Sequence, residues 1–409
     1  MLPIAKVIII LYKCLMYKID CNCQLTITGR RAIMFTDTII RSVLRRPSVF
    51  FAVGILFVWG ASFNGCSQDK DVNPADGVSV KLPILNGDGA SAMPLPQPEA
   101  SANDKENFHI YLAFGQSNME GQNWSNGSMV WGSDVLPVSY KQNVDKRFRV
   151  MAAVSGSHKL AVGTEQRTQG NWYTAVPPLV RNTLGLSPVD YFGRTLVAGI
   201  ADTNIKIGII AVAVAGTAIE GLEKGDGANA YYSSQQGQYG DLIKSIAALY
   251  DNNPYNRLVT LAKKAQETGV IKGIIMHQGE SGAVSGTWAK KVNGIYDNLL
   301  KDLGLAPNSI PFIAGEPVIT DKEPNQNNAA LIRGLTKTMT AKLPSGENVA
   351  HVVSSAGCAS GGDNLHFSYE GYKKLGEAYG QKMLELNYNN QGSTSIAPNP
   401  KQLRRERLQ

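Results

Sequence analysis

From Phe108 to Leu386 short apolar runs of strand length alternate with longer amphipathic stretches, and this alternation leaves few folds open to the chain. The strand candidates are His109–Phe114, Phe148–Val154, Ile205–Val214, Ile271–Met276, Ile310–Ala314 and Val349–Ser354. Helical spacing recurs over Val189–Ile200, Asn256–Thr268, Gly286–Leu303, Asn328–Leu343 and Tyr369–Leu386, with Gly, Pro and Asn as punctuation. Nearly unbroken apolar strands suit a sheet buried on both faces, and each helix supplies the crossover that a parallel pair needs. The pattern therefore predicts an α/β protein, a three-layer α/β/α sandwich with a mostly parallel central sheet. In such sheets the ligand crevice lies beyond the carboxyl ends of the strands, so residues that follow strands are the first functional candidates.

The ends of the chain read differently. The formal charge of +7 looks like a mark of nucleic-acid or membrane binding until it is divided along the sequence. Residues 1–66 hold a net +6 and residues 401–409 a net +3, which leaves the middle of the chain at −2. The basic balance thus gives no reason to expect a nucleic-acid partner. Arg41, Arg45 and Arg46 precede an apolar run from Val49 to Ala61, and small or polar residues lead to Cys66 before the charged stretch Ser67–Asp71. That order is the order of an export signal, too short for a stable membrane span. Cys66 after Gly65 also matches the acceptor of a lipoprotein anchor, although Phe63 stands where Leu is usual. A second apolar patch, Ile4–Leu15, lies ahead of Met34, so Met34 is the expected start of the precursor. The expected organisation is an export signal over 1–66, a Pro/Gly/Ser-rich flexible linker over 67–105, one folded domain over 106–388 and a disordered tail over 389–409. The protein is expected at the periplasm or cell surface, and to meet the membrane only through the Cys66 lipid. Four of the five cysteines precede the domain, no Cys-x-x-Cys or HExxH is present, and neither a disulfide framework nor a metal or cofactor is expected.

Three motifs fall at strand exits. The first strand runs into Gly115-Gln116-Ser117-Asn118-Met119-Glu120-Gly121, where a serine at a strand-to-helix turn can expose its hydroxyl near backbone N–H groups, or can simply cap the turn. The fourth ends in His277-Gln278-Gly279-Glu280-Ser281, which offers an oxyanion donor in Gln278, a base or orienting group in His277 and a carboxylate in Glu280, or a plain polar loop. After the last strand comes Asp363-Asn364-Leu365-His366, an acid three residues before a histidine that can fold back to hold the imidazole. His109 and His351 sit in strands and His158 in a Ser/Gly loop, so a structural or solvated role is expected for all three. Cys358 reads as a small buried residue.

Taken together, GQSN, HQGES and DNLH resemble the sialate O-acetylesterase and acetylxylan esterase branch of the SGNH hydrolases, which includes carbohydrate esterase family six, over about residues 107–388. The resemblance implies an SGNH or flavodoxin-like sandwich and a serine carboxylic-ester hydrolase acting on an acetylated carbohydrate, without a cofactor. It implies Ser117 as nucleophile and His366 as base, with Asp363 orienting His366 and Glu280 sharing or replacing that role. The backbone N–H groups of Ser117 and Gly216 are implied as oxyanion donors, with Gln278 in place of the asparagine other SGNH enzymes use. The family often has Gly-Gly-Thr where this chain has Ala215-Gly216-Thr217.

Gln116, Asn118, His277 and Trp172 are the expected substrate contacts. Trp124, Trp131 and Tyr173 either stack on sugar or pack their loops, and the insert from Gly221 to Gly240 either rims the site or is a surface loop. Two other functions stay open on sequence: a short-chain lipid or general esterase, and a surface glycan-binding lipoprotein without turnover. The oligomeric state is not legible.

Overall fold

The computed structural model describes residues 102–281, 286–319 and 325–388. The export signal, most of the linker and the C-terminal tail lie outside these residues. The last residues read as linker form a short helix, Ala102–Glu106.

Seven strands make the central sheet: β1 (Phe108–Gly115), β2 (Phe148–Met151), β3 (Trp172–Thr174), β4 (Lys206–Ala213), β5 (Val270–His277), β6 (Phe312–Gly315) and β7 (Ala350–Val353). Their order is β7-β6-β5-β1-β4-β2-β3. Every pairing is parallel except that of the edge strand β3 with β2. All eight residues of β1 are buried, as a strand covered on both faces requires. β1 lies between β4 and β5, so the chain crosses over it on passing from one to the other, and the carboxyl ends of these three strands form a common rim.

Three of the flanking helices start where the sequence supplies caps. In α2 (Pro188–Gly199) Ser187 accepts the Val189 N–H at 3.2 Å and Pro188 opens the first turn. In α3 (Pro254–Ala265) Asn253 plays the same part toward the Asn256 N–H at 3.0 Å. In α5 (Tyr369–Asn387) Ser368 accepts the Gly371 N–H at 3.1 Å. The helices α2 and α5 pack on each other, and Phe192 of α2 meets Tyr111 of β1 edge to face. α3 packs on β4 and β1, and α4 (Trp288–Asp302) buries an apolar stripe from Trp288 to Leu300.

Three expectations are corrected. The helix read over Asn328–Leu343 is broken at Gly334 into Asn325–Arg333 and Leu335–Thr338. The insert after Gly221 is no loop but two helices, Asp226–Ser234 and Gly237–Ala248. Trp172 belongs to the added edge strand β3, where its ring packs edge-on against Phe108 at the amino end of β1. It is buried, and its ring is directed to the amino end of β1 and away from the rim, so it is no substrate contact.

Candidate active site

The rim is built first by the exit of β1. A Cβ at Gly115 would strike the His277 carbonyl, and its absence lets β5 approach closely enough for the Gln116 N–H to reach that carbonyl at 3.0 Å. The chain then turns at once into the single-turn helix α1 (Ser117–Glu120), which places Ser117 at the rim.

The candidate base, His366, arrives from the other end of the domain, in the loop between β7 and α5. Asn364 takes a left-handed conformation (φ 57°), which asparagine tolerates, and the chain reverses so that Asp363 folds back on its own backbone. Asp363 Oδ1 accepts the N–H groups of Leu365 and His366, each at 2.9 Å. Its Oδ2 lies 2.6 Å from His366 Nδ1. An ionised carboxylate only accepts, so the Nδ1 proton faces Asp363 and Nε2 is left to accept the Ser117 hydroxyl at 2.8 Å. Burial works against ionisation of Asp363, but the ring of His366 and the two amides outweigh it and hold the carboxyl below its usual range. Ser117, His366 and Asp363 thus form one line, the geometry of a triad.

Gly216 follows β4, in register beside β1, with Val214 N–H bonded to the Gly115 carbonyl at 3.1 Å. Its φ of +75° disfavours any side chain there, and a Cβ would meet the Tyr239 hydroxyl. Among the described residues the N–H groups of Ser117 and Gly216 have no acceptor.

The other site candidates lie behind this line. Glu280 does not reach His366: its Oε1 accepts from Asn118 Nδ2 at 2.7 Å and lies 2.9 Å from His277 Nε2. Burial favours its neutral form, yet His277 and Asn118 more than offset it, so its carboxyl also lies below the usual range. Tyr379 gives its one hydroxyl proton to the Met276 carbonyl at 2.7 Å, and His277 Nδ1 lies 3.2 Å from the same hydroxyl, while an ionised Glu280 can only accept from Nε2. Gln278 is no free oxyanion donor. Its amide nitrogen is directed at Gln116 Oε1, the Thr217 carbonyl and the Ser281 carbonyl, and its oxygen accepts the Trp288 indole N–H. Gln116, bonded in turn to the N–H groups of Gly279 and Ser281, and Asn118 and His277 are buried with their polar atoms engaged, so none is a surface for substrate.

Trp124 packs on Gly361 and donates its indole N–H to the Phe367 carbonyl at 2.8 Å, which makes it a brace for the His366 loop. Trp131 is half exposed, with the Arg181 guanidinium 6.0 Å from its ring. His158 is buried in a hairpin and not solvated, and burial pushes the Cys358 thiol up to about 11.

One feature escaped the sequence. Glu120, three residues after Ser117, forms a buried two-point ion pair with Arg181, at 3.2 and 3.1 Å. A charged residue in a turn that is otherwise wholly buried is the signal for such a partner, but its place 61 positions away is not readable.

A parallel α/β sheet with a Ser–His–Asp line at its carboxyl rim has the architecture and the site geometry of a hydrolase of the triad class. Residues 107–385 match the family described as carbohydrate esterase, sialic acid-specific acetylesterase, and the chain belongs to that family. Among solved structures it is similar to a protein of Arabidopsis thaliana, with 20% identity over 69% of this chain and 99% of that one and a TM-score of 0.47. It is similar also to a carbohydrate acetylesterase from Xanthomonas citri, with 16% identity over 68% of this chain and 57% of that one and a TM-score of 0.42. A third is NanS, with 16% identity over 69% of this chain and 98% of that one and a TM-score of 0.45.

Proposed function

We propose that the protein is an exported serine esterase that removes acetyl groups from a glycan through an acyl-Ser117 intermediate. The observation that carries this reading is the line Ser117–His366–Asp363, at 2.8 and 2.6 Å, in a chain of a carbohydrate esterase family. His366 Nε2 takes the Ser117 proton as Oγ attacks the ester carbonyl, and Asp363 stabilises the imidazolium that forms. The oxyanion is received by the free N–H groups of Ser117 and Gly216. His366 then protonates the leaving sugar oxygen, and a water activated by the same ring releases acetate from Ser117. The order of basic residues, apolar run and Cys66 supports export with a lipid anchor at that cysteine.

The test is acetate release from O-acetylated sialic acid, the sugar in the family's description, and from acetylated xylan. Release by the wild type that is lost in Ser117→Ala is the expected result. Hydrolysis confined to longer acyl chains would move the function to a general esterase, and release that persists in Ser117→Ala would remove the serine from the mechanism.

A further inference from the structure

Asn118 stands next to the nucleophile, yet its side chain points away from the site and is fully buried. Its amide nitrogen donates to the Leu365 carbonyl at 3.1 Å and to Glu280 Oε1 at 2.7 Å. Its amide oxygen accepts the Phe367 N–H at 3.3 Å and the Tyr372 hydroxyl at 2.9 Å. Leu365 and Phe367 are the two neighbours of His366. A single planar amide therefore grips the backbone on both sides of the base and ties it to the turn that carries Ser117.

The grip works in only one orientation of the amide, because the Leu365 carbonyl needs a donor and the Phe367 N–H needs an acceptor. Glu280 fixes that orientation: an ionised carboxylate can face only the NH2 end. Glu280 is itself held by His277, and its second oxygen is buried without a partner among the described residues. A carboxylate whose hydrogen bonds all go to Asn118 and His277 has no direct line to the reacting atoms.

We propose that Asn118 is the positioning residue of the base, and that the glutamate of the HQGE motif, Glu280, acts on His366 only through Asn118. This rests on the reading of Ser117 and His366 as nucleophile and base. The second sequence motif then serves to aim the amide of the first, and the amide aims the third.

The test compares Asn118→Ala and Tyr372→Phe with wild type on 4-nitrophenyl acetate. The kcat is normalised to sites counted by end-point labelling with a fluorophosphonate, so that loss of folded protein does not enter. Displacement of a catalytic group by about 1 Å costs on the order of a hundredfold. Asn118→Ala is therefore expected to lose about a hundredfold in kcat per labelled site, with KM changed by less than about twofold. Tyr372→Phe removes one of the bonds that hold the amide and should lose about fivefold in kcat, again without effect on KM.

An unchanged kcat per site in either variant overturns the proposal, as does a rise in KM alone, which would make Asn118 a substrate contact. If Asn118→Ala does not fold, Tyr372→Phe decides by itself. A wild type without activity on any ester would overturn the esterase reading and this one with it. An active wild type with equally active variants overturns only this one.

Discussion

Asp363 gives the sharpest pH prediction at the scale of single residues. Its folded-state pKa lies below the ordinary 3.8, so the stability it contributes is fully present above that value and is lost as pH falls through the lower folded value. In Asp363→Asn this acid-side loss should vanish. The gap in unfolding free energy between wild type and variant should be constant above about pH 5 and shrink toward pH 3, as urea titrations would show. The variant should also lose on the order of a thousandfold or more in kcat, because an amide facing Nδ1 favours the wrong imidazole tautomer. Gln278→Ala should behave in the opposite way. Loss of an oxyanion donor would cost two to three orders of magnitude in turnover. Loss of an internal brace leaves the buried Trp288 N–H without its acceptor and should cost about 1–3 kcal/mol in stability, with kcat per labelled site within about tenfold of wild type. The three motifs were legible as neighbours at the carboxyl rim of the sheet, because each follows a strand. The parts played within them were not. Whether Gln116 faces Gln278, and Asn118 faces Glu280, or each faces solvent depends on contacts across 162 residues, and residue type does not carry that information.

At the scale of elements, the Ser117 turn is held from behind by the Glu120–Arg181 pair, which joins α1 to the segment leading into α2. Removal of one partner leaves a buried charge uncompensated, a loss of about 3–5 kcal/mol, whereas an apolar replacement of both can be nearly neutral. Arg181→Met is therefore expected to lower the urea midpoint strongly, and the double variant Glu120→Leu/Arg181→Met to recover much of it; equal midpoints for the two variants would contradict this account. In α2, Asp190 is fully buried with one oxygen unpartnered among the described residues, and burial raises its pKa to about 7 despite the ion pair with Arg194. A raised value means that this group's contribution is present below pH 3.8 and is lost as pH rises toward 7. Asp190→Asn should then show a stability advantage that grows over this interval and levels off above it. Six of the seven strands were readable as apolar runs, and β3 was not, because three residues are too few to show a period. The helices Asp226–Ser234 and Gly237–Ala248 were hidden by their Gly, Ser and Gln content. Packing of Tyr232, Ile243 and Ile246 overrides that weak propensity.

For the whole molecule, the sandwich class followed from the alternation of elements, while the order of the sheet did not, since each parallel pair joins distant segments. The end of the described chain returns to its beginning: Tyr388 stacks on His109 and its hydroxyl lies 2.9 Å from that of Tyr111 in β1. A fragment of residues 102–388 should accordingly match the full chain in thermal midpoint and in turnover. A fragment that stops before Tyr369 should not unfold cooperatively by circular dichroism, because α2, β5, β6 and β7 lose the cover of α5. The hydroxyl of Ser117 and the ring of His366 are brought together across 249 residues, and a serine without its base has no more reactivity than any other alcohol. On the proposed mechanism, a chain leaving the ribosome displays Ser117 early and stays inert until the His366 loop has emerged. Stalled or prematurely ended copies carry no stray activity, and the first moment at which Ser117 reacts with a fluorophosphonate during refolding marks the closure of the entire domain.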